Sequence, residues 1–406
     1  MKIVRIAEVC EVISGATPSR LVEAYWNGNI HWITPKDISK LSSKYINEAP
    51  EKITELGYRK SSTSLVPRNS LLLSSRAPIG LLAINTLPVC TNQGFKNLIP
   101  KKDKLDVVYL YYCLEFYREK LQSLGSGSTF KEISKRIVED FTIPLPNLRT
   151  QKQIAEILDT ADILRQKDKA LIEKHNQLTQ SLFLDMFGDI STNKFKFQIG
   201  TIRDLVSEVK YGTSSKSEEA GEFGYLRMNN ITYEGHLYLK DLKYINLSKV
   251  DQDKYLVKKG DILFNRTNSK ELVGKTAIWN TNDVMAIAGY LIRVRVNEKA
   301  NPFFIWAYLN SKHGKLTLEN MCKSIVGMAN INAQELQDIK ILLPPIEKQN
   351  KFAALIEQIK KQKQLAEESL KKSEALFNTL LQKAFKGELV KEEPEVKSTK
   401  KRQLVA

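Results

Sequence analysis

Two stretches of the chain place apolar side chains at three- and four-residue steps, the spacing of one helix face. In the first these are Ile154, Ile157, Ala161, Leu164, Leu171, Leu178 and Leu182. In the second they are Phe352, Leu355, Ile359, Ala366, Leu376 and Leu380. Asp168 and His175 interrupt the first stripe; Gln362, Ser369 and Ser373 interrupt the second. No Pro or Gly falls between Leu148 and Phe187 or between Ile346 and Phe385. Each stretch therefore predicts one helix of about 38 residues, roughly 57 Å at the helical rise. A stripe that narrow is not stable alone in water, so the pair is expected to form an antiparallel coiled coil.

Outside these helices the pattern changes. Short apolar runs at Ser70 to Ser74, Ile262 to Phe264 and Ala286 to Val296 are bounded by Gly, Pro and Asn and predict strands. A helix is expected at Val107 to Gln122 and another at Pro302 to Asn310. A Pro-containing strand closes each region, at Thr142 to Pro146 and at Ile341 to Pro345. The prolines end the strand and set up the helix that follows. The predicted organisation is a mixed α/β head over 1–145, a helix over 146–193, a second head over 194–343, a second helix over 344–390 and a disordered tail over 391–406.

The chain repeats itself. Pro146-Asn147-Leu148 with Gln151, Ile154 and Ala155 returns 198 residues later as Pro344-Pro345-Ile346 with Gln349, Phe352 and Ala353. The same offset pairs Leu178 with Leu376, Leu182 with Leu380 and Phe187 with Phe385. Looser matches precede them. Arg5 to Val9 resembles Ile202 to Val206, Val12 to Gly15 resembles Val209 to Gly212, and Ile33 to Ile38 resembles Leu226 to Ile231. Leu71-Leu72-Leu73 with Arg76 and Gly80 corresponds, with a one-residue slip, to Ile262-Leu263-Phe264 with Arg266 and Gly274. The fold expected is a tandem duplication of α/β heads, each followed by a helix.

Composition narrows the function. The 406 residues carry 62 Lys and Arg against 46 Asp and Glu, a net charge of +16, which favours a polyanionic partner. No run of about 18 uncharged apolar residues exists, so no membrane-spanning helix is expected. Neither is a signal peptide, since Met1 to Arg5 begins no apolar core. Cys10, Cys90, Cys113 and Cys322 have no metal or disulfide spacing, which fits a reducing cytoplasm. The four histidines lack partners at ligand spacing. Gly274-Lys275-Thr276 imitates the end of a phosphate-binding loop, but Ser269 stands where the loop needs glycine. Gly125-Ser126-Gly127-Ser128 follows a helix instead of a strand, unlike a dinucleotide-binding turn. No catalytic site is expected, and no cofactor.

A two-headed DNA reader accounts for these features together. Base readout uses Arg or Lys for guanine and Asn or Gln for adenine at fixed backbone positions. The repeat offers Lys36, Arg76, Asn92, Gln93 and Lys96 in the first head, and Arg227, Asn229, Asn230, Asn265, Arg266 and Lys275 in the second. Two competing readings are a coiled-coil scaffold with protein- or membrane-binding heads, and a single-chain nuclease with dispersed carboxylates.

The two Pro-rich helix starts, supported by Trp32 to Ile38, Asn92-Gln93-Gly94 and Gly127-Ser128-Thr129-Phe130, resemble the specificity subunit of type I restriction-modification systems. That resemblance covers residues 1 to about 390. It implies that each head reads one half of a split, asymmetric site on double-stranded DNA. It further implies that the helices hold the heads apart and dock two methyltransferase subunits and restriction subunits. S-adenosylmethionine, ATP and Mg2+ would then reside on those partners.

Overall fold

In the computed structural model the described residues are 1–76, 78–127, 131–322 and 328–391. The expected disordered tail lies outside them except for Lys391, as does most of Gly127-Ser128-Thr129-Phe130. The chain divides into two compact units, Met1–Lys169 with Glu368–Ala406, and Ala170–Glu367. Each unit holds one head, the start of the helix that follows that head, and the end of the other helix. The central helix runs Leu148–Phe187 and the C-terminal helix Ile346–Lys386, close to the predicted spans.

In unit 1 a five-stranded sheet has the order Cys10–Ser14, Phe95–Pro100, Leu71–Ser74, Leu82–Asn85, Tyr45–Ile46. A smaller sheet sets Trp26–Ile33 between Glu51–Ile53 and Cys90–Thr91, parallel to the latter. Unit 2 repeats this with four strands, Val206–Tyr211, Leu291–Val296, Ile262–Asn265 and Thr276–Ile278, and a small sheet centred on Phe223–Leu226, parallel to Met285–Ile287. The run from Ala286 to Val296 is thus two strands; Ala288, Gly289 and Tyr290 turn the chain from one sheet to the other. The helix expected over Val107 to Gln122 likewise breaks at Tyr117 into two.

An antiparallel two-stranded ribbon closes each head: Lys2–Arg5 with Thr142–Leu145, and Gln198–Thr201 with Lys340–Leu343. The ribbon corrects one detail of the repeat. The Ile6 amide donates to Phe141 and the Ile202 amide to Ile339, so Ile202 matches Ile6 and not Arg5. Glu8 and Asp204 then do the same work, each accepting from the backbone three residues earlier.

A buried glutamine joins each head to its helix. Gln151 accepts from the Asp106 amide at 2.8 Å through Oε1, and its Nε2 donates to the carbonyls of Lys104 and Pro146. Gln349 accepts from the Asn301 amide at 2.9 Å and donates to Lys299 and Pro344. Both glutamines are fully buried. Asp106 and Asn301, whose amides are held, are also the N-caps of the head helices Val107–Phe116 and Pro302–Asn310. Asn147, standing where the second repeat has Pro345, caps the central helix by accepting from the Thr150 amide.

Aromatic side chains fill the space behind each clamp. In unit 1 Phe385, from the end of the C-terminal helix, lies 5.4 Å from Tyr109 and 5.3 Å from Phe116. In unit 2 Phe187, ending the central helix, lies 4.8 Å from Phe304 and 5.3 Å from Phe352. The recurrence of Phe187 and Phe385 marks this shared packing.

Within each unit the two helices run antiparallel, but the buried stripe differs from the one expected. Ile154 and Phe352 are buried, Leu355, Ile359 and Leu380 half-buried, whereas Ile157, Leu164, Leu171, Leu178 and Leu376 are exposed. The contact line runs through Leu158, Ala161 and Asp168 against Ser373, Phe377 and Leu381 in unit 1, and through Phe183 against Phe352 in unit 2. The residues read as interruptions explain the shift: the Asp168 carboxylate accepts from Ser373 at 2.7 Å and Ser369 at 3.1 Å. Small and hydrogen-bonded polar groups share the line with Leu158, Phe377 and Leu381, and the exposed leucines lie beside it.

No helix among the described residues is long and apolar enough to cross a membrane. Gln349→Leu leaves one amide and two carbonyls without their partner. At about 1–3 kcal/mol for an orphaned buried group, it is expected to destabilise unit 2 by at least about 2 kcal/mol, read by urea unfolding.

Candidate nucleic-acid interface

The repeat brings three segments together in each head. In unit 1, Ile33 pairs with Thr91 at the ends of two parallel strands, and the Asn92 amide donates to Ile33 at 3.0 Å. In unit 2, Leu226 pairs with Ile287, and the Ala288 amide donates to Leu226 at 2.9 Å. The third segment arrives through a glycine. A Cβ on Gly15 would stand 2.0 Å from the Asn92 carbonyl, and one on Gly212 2.3 Å from those of Ile287 and Ala288. Only glycine lets the backbones approach so closely. The following amides, Ala16 and Thr213, donate to Thr91 and Ile287.

Past this junction each chain turns into a short helix. The Thr34 amide donates to the Asp37 carboxylate at 2.8 Å, and the Arg227 amide to Asn230 Oδ1 at 2.8 Å. Asp37 and Asn230 therefore hold the same turn. Lys36 and Asn229 follow on the outside, both exposed.

The eleven predicted readers separate into two groups. Lys36, Arg76, Gln93 and Asn229 are exposed, and Asn92, Arg227 and Arg266 half-exposed. Lys96, Asn230, Asn265 and Lys275 are buried and bonded internally. Lys96 Nζ lies 3.4 Å from Ser75 Oγ and from Glu132 Oε1. Asn230 also donates to the Tyr238 carbonyl, and Asn265 donates to Thr267 and Tyr290. Lys275 donates to the Met228 carbonyl at 2.7 Å, and burial pushes its ammonium pKa down. These four hold the scaffold. Asn92 also has an internal task, accepting from the Gly94 amide, and Gln93 accepts from the Thr17 hydroxyl.

Arg76 and Arg266 are not equivalent. The Arg266 amide donates to Tyr290 and its carbonyl accepts from Ile331; in unit 1 Ser75 makes both bonds, to Gly94 and from Ile133. Arg76 is one residue further, where unit 2 has Thr267. One residue along an extended chain reverses the side-chain direction. Arg76 Nε donates to Glu132 at 2.8 Å, while the Arg266 guanidinium stacks 4.8 Å from the Tyr211 ring.

Tyr211 and Tyr290 escaped the sequence reading. Both are exposed, at 42% and 51%, and both flank Arg266. The signal was present: Tyr211 precedes Gly212, and Gly212 matches Gly15. Base readout by charge and amide chemistry does not single out aromatic side chains, which meet bases by stacking. The surface of unit 2 is thus Arg227, Asn229, Arg266, Tyr211 and Tyr290. In unit 1 Lys36 takes the place of Asn229, whereas Thr34, Ser75 and Gly94 stand where Arg227, Arg266 and Tyr290 stand, and Asn92, Gln93 and Arg76 supply the other polar side chains.

Two heads with one backbone frame and different side chains upon it define a tandem recognition protein. Comparison with known proteins gives the family. The model of the type I restriction modification DNA specificity domain matches residues 1–174 and again 195–375, and the chain belongs to that family. It is 38% identical over 185 residues to the MjaIX specificity subunit of Methanocaldococcus jannaschii, covering 45% of this chain and 42% of that one. It is 28% identical over 362 residues to the EcoKI specificity subunit of Escherichia coli K12, covering 81% and 76%. The fold matches the S subunit from M. genitalium with a TM-score of 0.56 at 15% identity, over 95% of this chain and 96% of that one. The matches support neither the scaffold nor the nuclease reading.

The division between frame and surface is testable by thermal unfolding. Asn230→Ala removes a turn cap and a buried donor, and is expected to cost about 1–2 kcal/mol. Asn229→Ala, one residue earlier and exposed, should leave the melting temperature unchanged.

Proposed function

We propose that this chain is the DNA-reading subunit of a type I restriction-modification complex, acting in the cytoplasm on a bipartite, asymmetric site. One observation carries the proposal: the same junction of three segments occurs in both heads, and the side chains displayed there differ. Lys36 and Gln93 stand in one head where Asn229 and Gly289 stand in the other. A shared frame with unlike side chains reads unlike sequences, because base edges discriminate donors, acceptors and methyl groups. The remaining surplus of Lys and Arg serves the phosphates.

Catalysis belongs to partners in this reading. Methyltransferase subunits bring S-adenosylmethionine, restriction subunits bring ATP and Mg2+, and this chain selects the site. The central helix supports docking. It carries exposed aliphatic residues seven apart, Ile157 and Leu164 in unit 1 and Leu171 and Leu178 in unit 2. A heptad step places each pair on one face of the helix, suited to a partner helix. A charge on such a face, in Leu171→Asp, is expected to abolish co-purification with the methyltransferase subunit and leave the melting temperature of the chain unchanged.

The site itself is read by sequencing the methylated bases of cells that carry the complex. The expected motif has two different halves separated by unspecified bases. Arg266→Ala should relax one half only, by about tenfold to a hundredfold, the worth of a bidentate arginine contact. Lys36→Ala should change only the other half. A continuous palindrome, or loss of both halves in either variant, would overturn the assignment.

A further inference from the structure

Unit 2 has a half-open cavity of about 740 Å3 between its head and the helices. That volume lies within the usual range of small-molecule sites. Its apolar lining includes Phe183, Trp306 and Ile356. Two ammonium groups are sunk into its wall. Lys360 Nζ lies 4.5 Å from the centre of the Phe303 ring and 5.4 Å from that of Trp306. Lys315 Nζ lies 4.7 Å from the centre of the Tyr233 ring and is buried without any hydrogen-bond partner. Asn310 Oδ1, on the same wall, is also buried and unpartnered.

Neither lysine has a carboxylate within 4.0 Å among the described residues. Glu234 is the acidic group felt by Lys315 and Glu357 the one felt by Lys360, both from beyond contact distance. Lys363 adds a third cation, shared between His236 Nε2 at 3.2 Å and Glu367 at 3.9 Å. Burial outweighs these acids, and both Lys315 and Lys360 are pushed down to about 8.

The first repeat handles the same place differently. At the 198-residue offset Lys360 corresponds to Asp162 and Lys363 to Arg165. Arg165 and Asp162 form an ion pair at 2.5 Å, and one turn earlier Asp159 pairs with Lys44 at 2.9 Å. Unit 1 balances its charges here in contact pairs; unit 2 has a second cation in place of Asp162, and the carboxylates that line its cavity, Glu234, Glu271 and Glu319, form no ion pair with Lys315 or Lys360 among the described residues. Desolvated charges without partners cost stability. A group that supplies the missing negative charge removes that cost.

We propose that unit 2 binds a small organic anion in this cavity. Its carboxylate, phosphate or sulfonate would lie between Lys315 and Lys360, and its apolar body against Trp306 and Phe183. Asn310 Oδ1 offers an acceptor to a hydroxyl or amide of the same ligand. Such a molecule would bind against both helices as well as the head, and so link a metabolite to the element proposed to dock the methyltransferase.

The test uses the full chain and two dyes of similar shape, the anionic anilinonaphthalene sulfonate and the neutral phenylnaphthylamine, with energy transfer from tryptophan as the signal. The expected result is saturable binding of one anionic dye per chain, the neutral dye binding at least tenfold more weakly. Lys315→Met and Lys360→Met should each weaken the anionic dye by about tenfold or more, the loss expected for a bond to a charged group. Both variants should melt at the same temperature as the parent or higher, because each removes a desolvated charge. Trp306→Phe should reduce the energy transfer, Trp279 of the same unit supplying the remainder. Equal binding of the two dyes, unchanged affinity in both methionine variants, undiminished transfer in Trp306→Phe, or no saturable binding would each overturn the proposal.

Discussion

The glutamine at the first turn of each long helix is the constraint from which the rest follows. A helix start leaves its backbone donors unsatisfied, and a strand ending in proline leaves carbonyls unpaired. Gln151 and Gln349 meet both needs with one side chain: Oε1 accepts from the amide that opens a head helix, and Nε2 donates to the carbonyl of the proline that follows the strand. With the head helix fixed to the long helix, Tyr109 and Tyr308 reach the closing ribbon, donating to the carbonyls of Pro144 and Lys340. The aromatic layer then has a defined gap to fill. Removing the clamp would loosen the ribbon, the head helix and the long helix together, since all three meet there.

The sequence was most legible where side chains themselves do the repeated work. Gln151 and Gln349, or Phe187 and Phe385, must keep their chemistry to keep their contacts, so the 198-residue offset stands out. Within the heads the repeat is held by backbone bonds, which any residue can make. Ser75 and Arg266 make the same pair of bonds with unrelated side chains. Matching by residue type consequently joined Arg76 to Arg266 and slipped by one. The helix contact line was misplaced for a related reason. Hydrophobicity marked Leu164, Leu171 and Leu178, while the buried line threads Leu158, Phe377 and Leu381 past Ala161, Asp168 and Ser373, whose fit depends on size and hydrogen bonds.

The candidate interface shows the same limit. Residue type alone cannot separate an asparagine that caps a turn from one that faces solvent, and Asn229 and Asn230 are neighbours with opposite roles. Lys275 and Lys96 illustrate it for cations, since both are committed to partners inside the head. Their burial leaves exposed positions to carry recognition. The frame tolerates change at those positions because none of them holds it together, which allows one architecture to serve two different readings within a single chain.

The exposed aliphatic residues of the central helix have a further consequence. Leu164, Leu171 and Leu178 are each more than two-fifths open to water. An apolar row left bare is attracted to any other apolar surface, including the same row on another copy. Dispersal of the chain in solution therefore depends on the ratio of its copies to whatever covers that row. On the docking proposed for that row, synthesis of this chain in excess of its partner favours self-association, so its useful concentration is capped by the supply of something else.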